Sequence, residues 1–278
     1  MLPPLVAAIV FQVKVVGMDL VSIGLVVAGL VVGFIVGMTG VGGGSLMTPI
    51  LLAFGINPAT AVGTDLLYAA ITKSGGVLVH QKQRNIDWAI TGWLTLGSAP
   101  AVMATLWFLS NLQQAPDTVN AIIKQALGVV LLLTALAVFF KKRLLAFAHR
   151  RAGGTYQPSG PKLNGMTVFT GVILGIMVAL TSIGAGALGT VALFILYPFL
   201  ATRRLVGTEI AHAVPLTLVA GMGHASMGNM DWAVLGYLLM GSLPGIYVGS
   251  HLSGRVSDDI LRPCLAVMLG LIGCKLVF

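Results

Sequence analysis

The chain has 278 residues, 57% of them hydrophobic and only 9% charged, and its mean hydropathy is +0.97. Soluble domains carry about a quarter charged residues, so a soluble enzyme or binding module is excluded in favour of a polytopic membrane protein. The net charge of +8 does not point to nucleic acid, because the basic residues fall in short loops between apolar runs, as cytoplasmic loops do.

Residues 1–18 begin Met-Leu-Pro-Pro and hold no basic residue before Lys14. They lack the pattern of a signal peptide and read as an interfacial lead-in ending at Asp19, an N-cap for the first span. Long apolar runs follow at 20–38, 58–80, 87–109 and 118–140, then at 165–181, 203–226, 232–252 and 257–278. Each approaches or exceeds the roughly 20 residues a bilayer needs, which predicts eight long transmembrane helices in an all-α protein. Two pieces, 45–54 and 188–200, are half that length. They predict re-entrant half-helices, whose broken backbone is tolerated only where protein or a water-filled cavity satisfies it. Between 141 and 164 lie Lys141, Lys142, Arg143, Arg150 and Arg151 and a Gly/Pro/Ser-rich stretch, read as a basic cytoplasmic linker. Cys264 and Cys274 share the last run, about 15 Å apart along a helix, too far for a disulfide.

Shifting the register by 144 residues superimposes the halves. Gly40 to Ser45 (GVGGGS) falls on Gly184 to Gly189 (GAGALG), and Val62-Gly-Thr-Asp65 falls on Val206-Gly-Thr-Glu209. Asn85-Ile-Asp-Trp88 meets Asn229-Met-Asp-Trp232, and Gly97-Ser-Ala-Pro100 meets Gly241-Ser-Leu-Pro244. Between 37 and 100, 17 of 64 positions are identical without a gap. A shared taste for apolar residues does not align His, Asn, Asp, Trp and Pro, so the chain is a duplicated unit. The units are residues 1–140 and 165–278, joined by the linker. Placing the linker inside puts 12 of the 16 Lys and Arg inside, provided the second copy is inverted. A parallel repeat would leave Arg203 and Arg204 outside.

Glycines in membrane helices commonly let backbones approach, the reading for Gly24, Gly29, Gly33, Gly37, Gly92 and Gly97. Gly40, Gly42, Gly43 and Gly44 instead crowd the junction of a full and a half span. Besides packing, they suit a helix break that frees the N–H groups starting the short helix at Ser45. Helix N-termini carry partial positive charge and bind anions. The second copy offers Gly184, Gly186 and Gly189, with Thr181 and Ser182 as hydroxyl donors. Asp65 and Glu209 lie about seven residues into their spans, hence roughly 10 Å deep. An acid in lipid is costly and marks function, as a proton or ion coupling group, or it anchors the broken backbone. Thr64 and Thr208 bind ligand or bond back to their helix. Lys73, deep within a span, pairs with Asp65, attracts an anion or snorkels to the surface. His80 and His224 read as structural. His212 stands one helical turn past Glu209, a pair too small to define a metal site. Asn85, Asp87, Asn229 and Asp231 read as caps beside interfacial tryptophans. An intramembrane hydrolase is the distant alternative, and no G-x-S-x-G or H-E-x-x-H motif occurs.

These paired motifs, from GVGGGS and VGTD through TSIGAGALG and VGTE to the N-x-D-W and GS-x-P repeats, resemble the sulfite exporter TauE/SafE family, also called the 4-toluene sulfonate uptake permease family. The resemblance runs from about residue 20 to the end. It implies a multi-pass transporter of the bacterial inner membrane without a cofactor, moving sulfite, organosulfonates or related small anions. By motif it points to Gly40, Gly42, Gly43, Gly44, Thr64, Asp65, Gly184, Gly186, Thr208 and Glu209. The second cluster departs from the first in carrying Ala185, Ala187 and Leu188 between its glycines. The expected function is a secondary transporter in which both half-helix ends, including Ser45 and Gly189, hold the anion. Asp65, Glu209, Lys73 and His212 would couple or gate it, with protons as the coupling ion. A passive anion channel is the alternative.

Overall fold

Ten α-helices and no strand form among the residues that the computed structural model describes: 19–39, 44–112, 114–140, 143–144, 160–252 and 258–277, without the side chains of 39, 44, 45, 252 and 258–265. In chain order they are α1 (Leu20–Thr39), α2 (Gly44–Ala53), α3 (Pro58–Lys82), α4 (Trp88–Asn111) and α5 (Pro116–Phe139). Then come α6 (Pro161–Thr181), α7 (Ala187–Leu196), α8 (Thr202–Ser226), α9 (Trp232–Leu252) and α10 (Asp258–Val277). The lead-in 1–18, Gly40, Gly42, Gly43, nearly all of the 141–159 stretch and the Ser45 side chain lie outside the described residues.

The helix ends have local causes. Asn57 Oδ1 accepts the Thr60 amide at 2.9 Å ahead of Pro58, and Asp87 Oδ1 accepts the Ile90 amide at 3.3 Å. Asp231 caps α9 in the same way, through the amides of Ala233 and Val234, as expected of both N-x-D-W segments. Proline at the first helical position starts α5 and α6, so α6 begins four residues earlier than its apolar run. The second half-helix is shorter than the expected 188–200. It stops at Leu196 because Pro198 pushes Tyr197 out of the helical region.

Among the described residues, six helices are long and apolar enough to cross a membrane: α1, α4, α5, α6, α8 and α9, with α1 counted from Leu20 to Met38 and α9 from Trp232 to His251. α3 is 25 residues long but carries Asp65, Lys73 and several small polar residues inward, and it is not among the six.

Packing follows the small residues. α1 lies along α9 in the same direction, and α4 lies along α6 likewise. A Cβ on Gly33 would strike the Ser242 carbonyl, and one on Gly245 that of Leu30. Gly171 and Gly175 meet Leu94 and Ser98 in the α4–α6 pair. The expected packing role therefore holds for Gly29, Gly33, Gly37 and Gly97, while Gly24 faces only the Phe54 ring. Gly92 is a correction: nothing lies within 4 Å of a Cβ there, because it points away from α6. α3 and α8 run antiparallel through the centre, and α5 pairs with α10. Ala59, Ala61, Val62, Leu66, Leu67 and Tyr68 of α3 and Ala213, Leu216 and Ala220 of α8 lie in one core cluster with Leu46, Met47, Leu51, Ile183 and Ala185 of the half-helix regions.

Candidate functional site

Two antiparallel helices, each with an acid in its first half, define the centre of the molecule. α3 brings Asp65 and Lys73, and α8 brings Glu209 and His212. Asp65 is 0%, Glu209 3% and Lys73 6% exposed.

The second break is fully described. α6 ends at Ser182, which takes a left-handed conformation (φ 59°), and the chain crosses Gly184 (φ 129°) to Gly186 (φ 145°), the N-cap of α7. Residues 181–186 are all buried. Glycine is required at Gly186, since a side chain is disfavoured at that φ. The amide of Gly186 faces the Glu209 carboxylate, and a Cβ on Gly189 would lie 3.1 Å from Glu209 Oε1. That oxygen is buried without a hydrogen-bond partner. From the other half of the chain, Lys73 Nζ donates to the Ala185 carbonyl at 2.5 Å. Lys73 therefore does not snorkel: its ammonium ends at the bend, where a broken backbone leaves a carbonyl free.

Asp65 makes the matching arrangement in the first half. Thr48 of α2 donates its hydroxyl to Asp65 Oδ2 at 2.5 Å, Ser182 faces the same carboxyl, and Oδ1 has no hydrogen-bond partner. Each acid thus lies against the half-helix of its own repeat. The charge of Lys73 acts on both carboxylates, yet among the described residues no salt bridge within 4 Å joins it to either. The only one found there links Arg204 to Asp87 at 2.9 Å. Thr181 is taken up by backbone, donating to Met177 and accepting the Ile183 amide. Ser182 Oγ remains without a partner.

One turn beyond each acid stands a second polar pair. His212 Nε2 and Ser98 Oγ are 2.8 Å apart, and the matching residues Tyr68 and Ser242 face one another. His212 is engaged by a serine, and no group of three metal-ligating side chains occurs among the described residues. His224 bonds the Ala179 carbonyl at 2.9 Å. Sequence reasoning missed Thr48, Tyr68, Ser98 and Ser242. The serines are identical in the GS-x-P repeat, and Tyr68 and His212 sit three residues after the acids, so the shared register held the signal.

The threonines beside the acids hold the halves together. The Asp87 amide donates to Thr208 Oγ1 at 2.9 Å, and the Asp231 amide to Thr64 Oγ1 at 3.1 Å. Beside them, a Cβ on Gly207 or Gly63 would strike the carbonyl of Asn85 or Asn229. Thr208 also bonds back to Arg204 at 2.7 Å. A cavity of about 300 Å³ between α4, α6 and α7, lined by Asp87, Trp93, Asn164 and Tyr197 among others, includes neither Asp65 nor Glu209.

A bundle of apolar helices around buried, repeat-matched acids and broken half-helices is the architecture of a membrane transporter. Residues 25–276 match the family model described as sulfite exporter TauE/SafE, and the chain belongs to that family. It is 39% identical to the probable membrane transporter protein YjnA of Bacillus subtilis, over 92% of this chain and 100% of that one. It is 26% identical to the probable membrane transporter protein YdhB of the same organism, over 88% and 96%. The probable membrane transporter protein MJ0441 of Methanocaldococcus jannaschii is also 26% identical, over 90% and 92%. No solved structure matches the chain. The protein is a membrane transporter and not an enzyme.

Proposed function

We propose that the chain is a secondary transporter of a small anion, a sulfite, an organosulfonate or a related sulfur oxyanion, across the bacterial inner membrane. It is built as two inverted repeats of four long crossings and one half-helix each, with the basic linker in the cytoplasm. The observation that carries this reading is the antiparallel α3–α8 pair, whose acids each lie against a half-helix. The reciprocal bonds of Thr64 with Asp231 and of Thr208 with Asp87 support the inverted relation. So does the gathering of Lys82, Arg84, Arg203 and Arg204 at the end where Asp87 meets Arg204.

The anion is held at the half-helix ends, by Gly40, Gly42, Gly43, Gly44 and Ser45 in one repeat and by Gly184, Gly186 and Gly189 in the other, with Thr64 and Thr208 beside them. The arginines of these helices stand near helix starts, Arg203 and Arg204 in the first turn of α8 and Arg262 early in α10, so deep in the spans helix ends and Lys73 supply the positive potential. Asp65 and Glu209 couple or gate the movement, flanked by Lys73 and His212, with protons as the coupling ion. Reconstitution into liposomes with an imposed pH gradient tests this. Accumulation of sulfite or a sulfonate above its equilibrium level is expected. Equilibration without accumulation would indicate a passive channel instead.

A further inference from the structure

Glu209 occupies the place that the proposed function gives to the substrate. Its carboxylate faces the Gly186 amide at the start of α7 and lies against Gly189, with one oxygen buried and unpartnered. Lys73 reaches the same bend from α3. Two anions cannot share one set of amides, and a second negative charge beside a buried carboxylate is strongly disfavoured. We infer that the Glu209 carboxylate and the transported anion are alternative occupants of the α7 N-terminus beside Lys73, so that each anion bound brings a proton onto Glu209. This rests on the anion-transport reading and adds to it the competitor and the stoichiometry.

The surroundings leave few other groups to take that proton. Lys73 of α3 acts on Glu209 and also on Asp65, and His212 follows Glu209 by three residues on its own helix. α4 and α7 carry no titratable side chain, and α6 only the exposed Lys162 at its start. His212 is tied to Ser98. Asp65 is held by Thr48 of the other half-helix. Position 217, which matches Lys73 in the second half, is Thr217, bonded to its own helix. Lys73 therefore stands at the second bend, and its counterpart position in the second half carries no charge.

The test uses methanesulfonate, which keeps one negative charge across the working range, and the detergent-purified full chain. Calorimetry between pH 5.5 and 8.5, in buffers of different ionisation heats, reads affinity and protons taken up together. One proton per anion is expected wherever Glu209 is ionised in the empty protein, and less where it already holds its proton. Affinity then falls about tenfold per pH unit at the alkaline end, as linkage requires. Glu209→Gln should bind methanesulfonate with little pH dependence and no proton uptake, while Lys73→Met should weaken binding at every pH. Binding by the unaltered protein without proton uptake overturns the inference and leaves anion transport standing. No binding of methanesulfonate at any pH, with sulfite also failing, overturns both. Proton uptake that persists in folded Glu209→Gln moves the competitor to another acid and overturns the assignment. Should that variant not fold, proton uptake by the unaltered protein still decides whether anion and proton are linked.

Discussion

A side chain at Gly186 would be strained before it touched a neighbour, because the residue holds φ at 145°. Gly186→Ala should cost about 1–3 kcal/mol in stability and weaken anion binding. Gly92→Ala, with open space around it, should change neither. Thermal unfolding in detergent and a binding isotherm on the same samples check both. Thr48 offers a second probe. Thr48→Val removes the donor to Asp65 Oδ2 and should destabilise by about 1–3 kcal/mol, with Thr48→Ser recovering most of it. The acids themselves were legible in the sequence, since a carboxylate is too costly within an apolar run to persist there without a role. Thr48 was not, because a threonine in a short apolar helix is unremarkable until its neighbour across space is known. Lys73 was half legible: its depth could be counted, but the Ala185 carbonyl it reaches is 112 residues away.

Helix positions could be read closely from the chain. The run 203–226 became Thr202–Ser226, and 20–38 became Leu20–Thr39. Proline accounts for the larger misses, at Pro161 and Pro198. The choice of partner was not readable. The glycine edge of α1 suits any helix with a small-residue face, and nothing in its periodicity selects α9. Gly33→Ile and Gly245→Ile should each drive a branched side chain into the partner's carbonyl. Overpacking of this kind costs roughly 1–3 kcal/mol or more. Gly236→Ile, with open space around it, is the control. Size-exclusion profiles and unfolding temperature should separate the first two from the third.

At the scale of the molecule, the inverted arrangement makes a prediction about sides. In a background lacking Cys264 and Cys274, single cysteines would be placed at Gln114, Ser159 and Thr202. An impermeant thiol reagent added outside intact cells should label only the first. Labelling at Thr202 would sink the inverted arrangement. The Arg204–Asp87 bridge lies at the end assigned to the inside but is partly exposed. Arg204→Ala should therefore change stability by less than about 1 kcal/mol.

The first helix of each half rests on the fourth helix of the other. During synthesis the glycine edge of α1 must wait for α9, roughly 200 residues later, which at ordinary translation rates is about 10–40 s. Through that interval the edge faces lipid or an insertion factor, without its final neighbour. A chain severed within 141–159 should consequently yield two fragments that are each degraded when made alone. Produced together, they should protect one another and co-purify, the late fragment sheltering a helix that the early one finished long before.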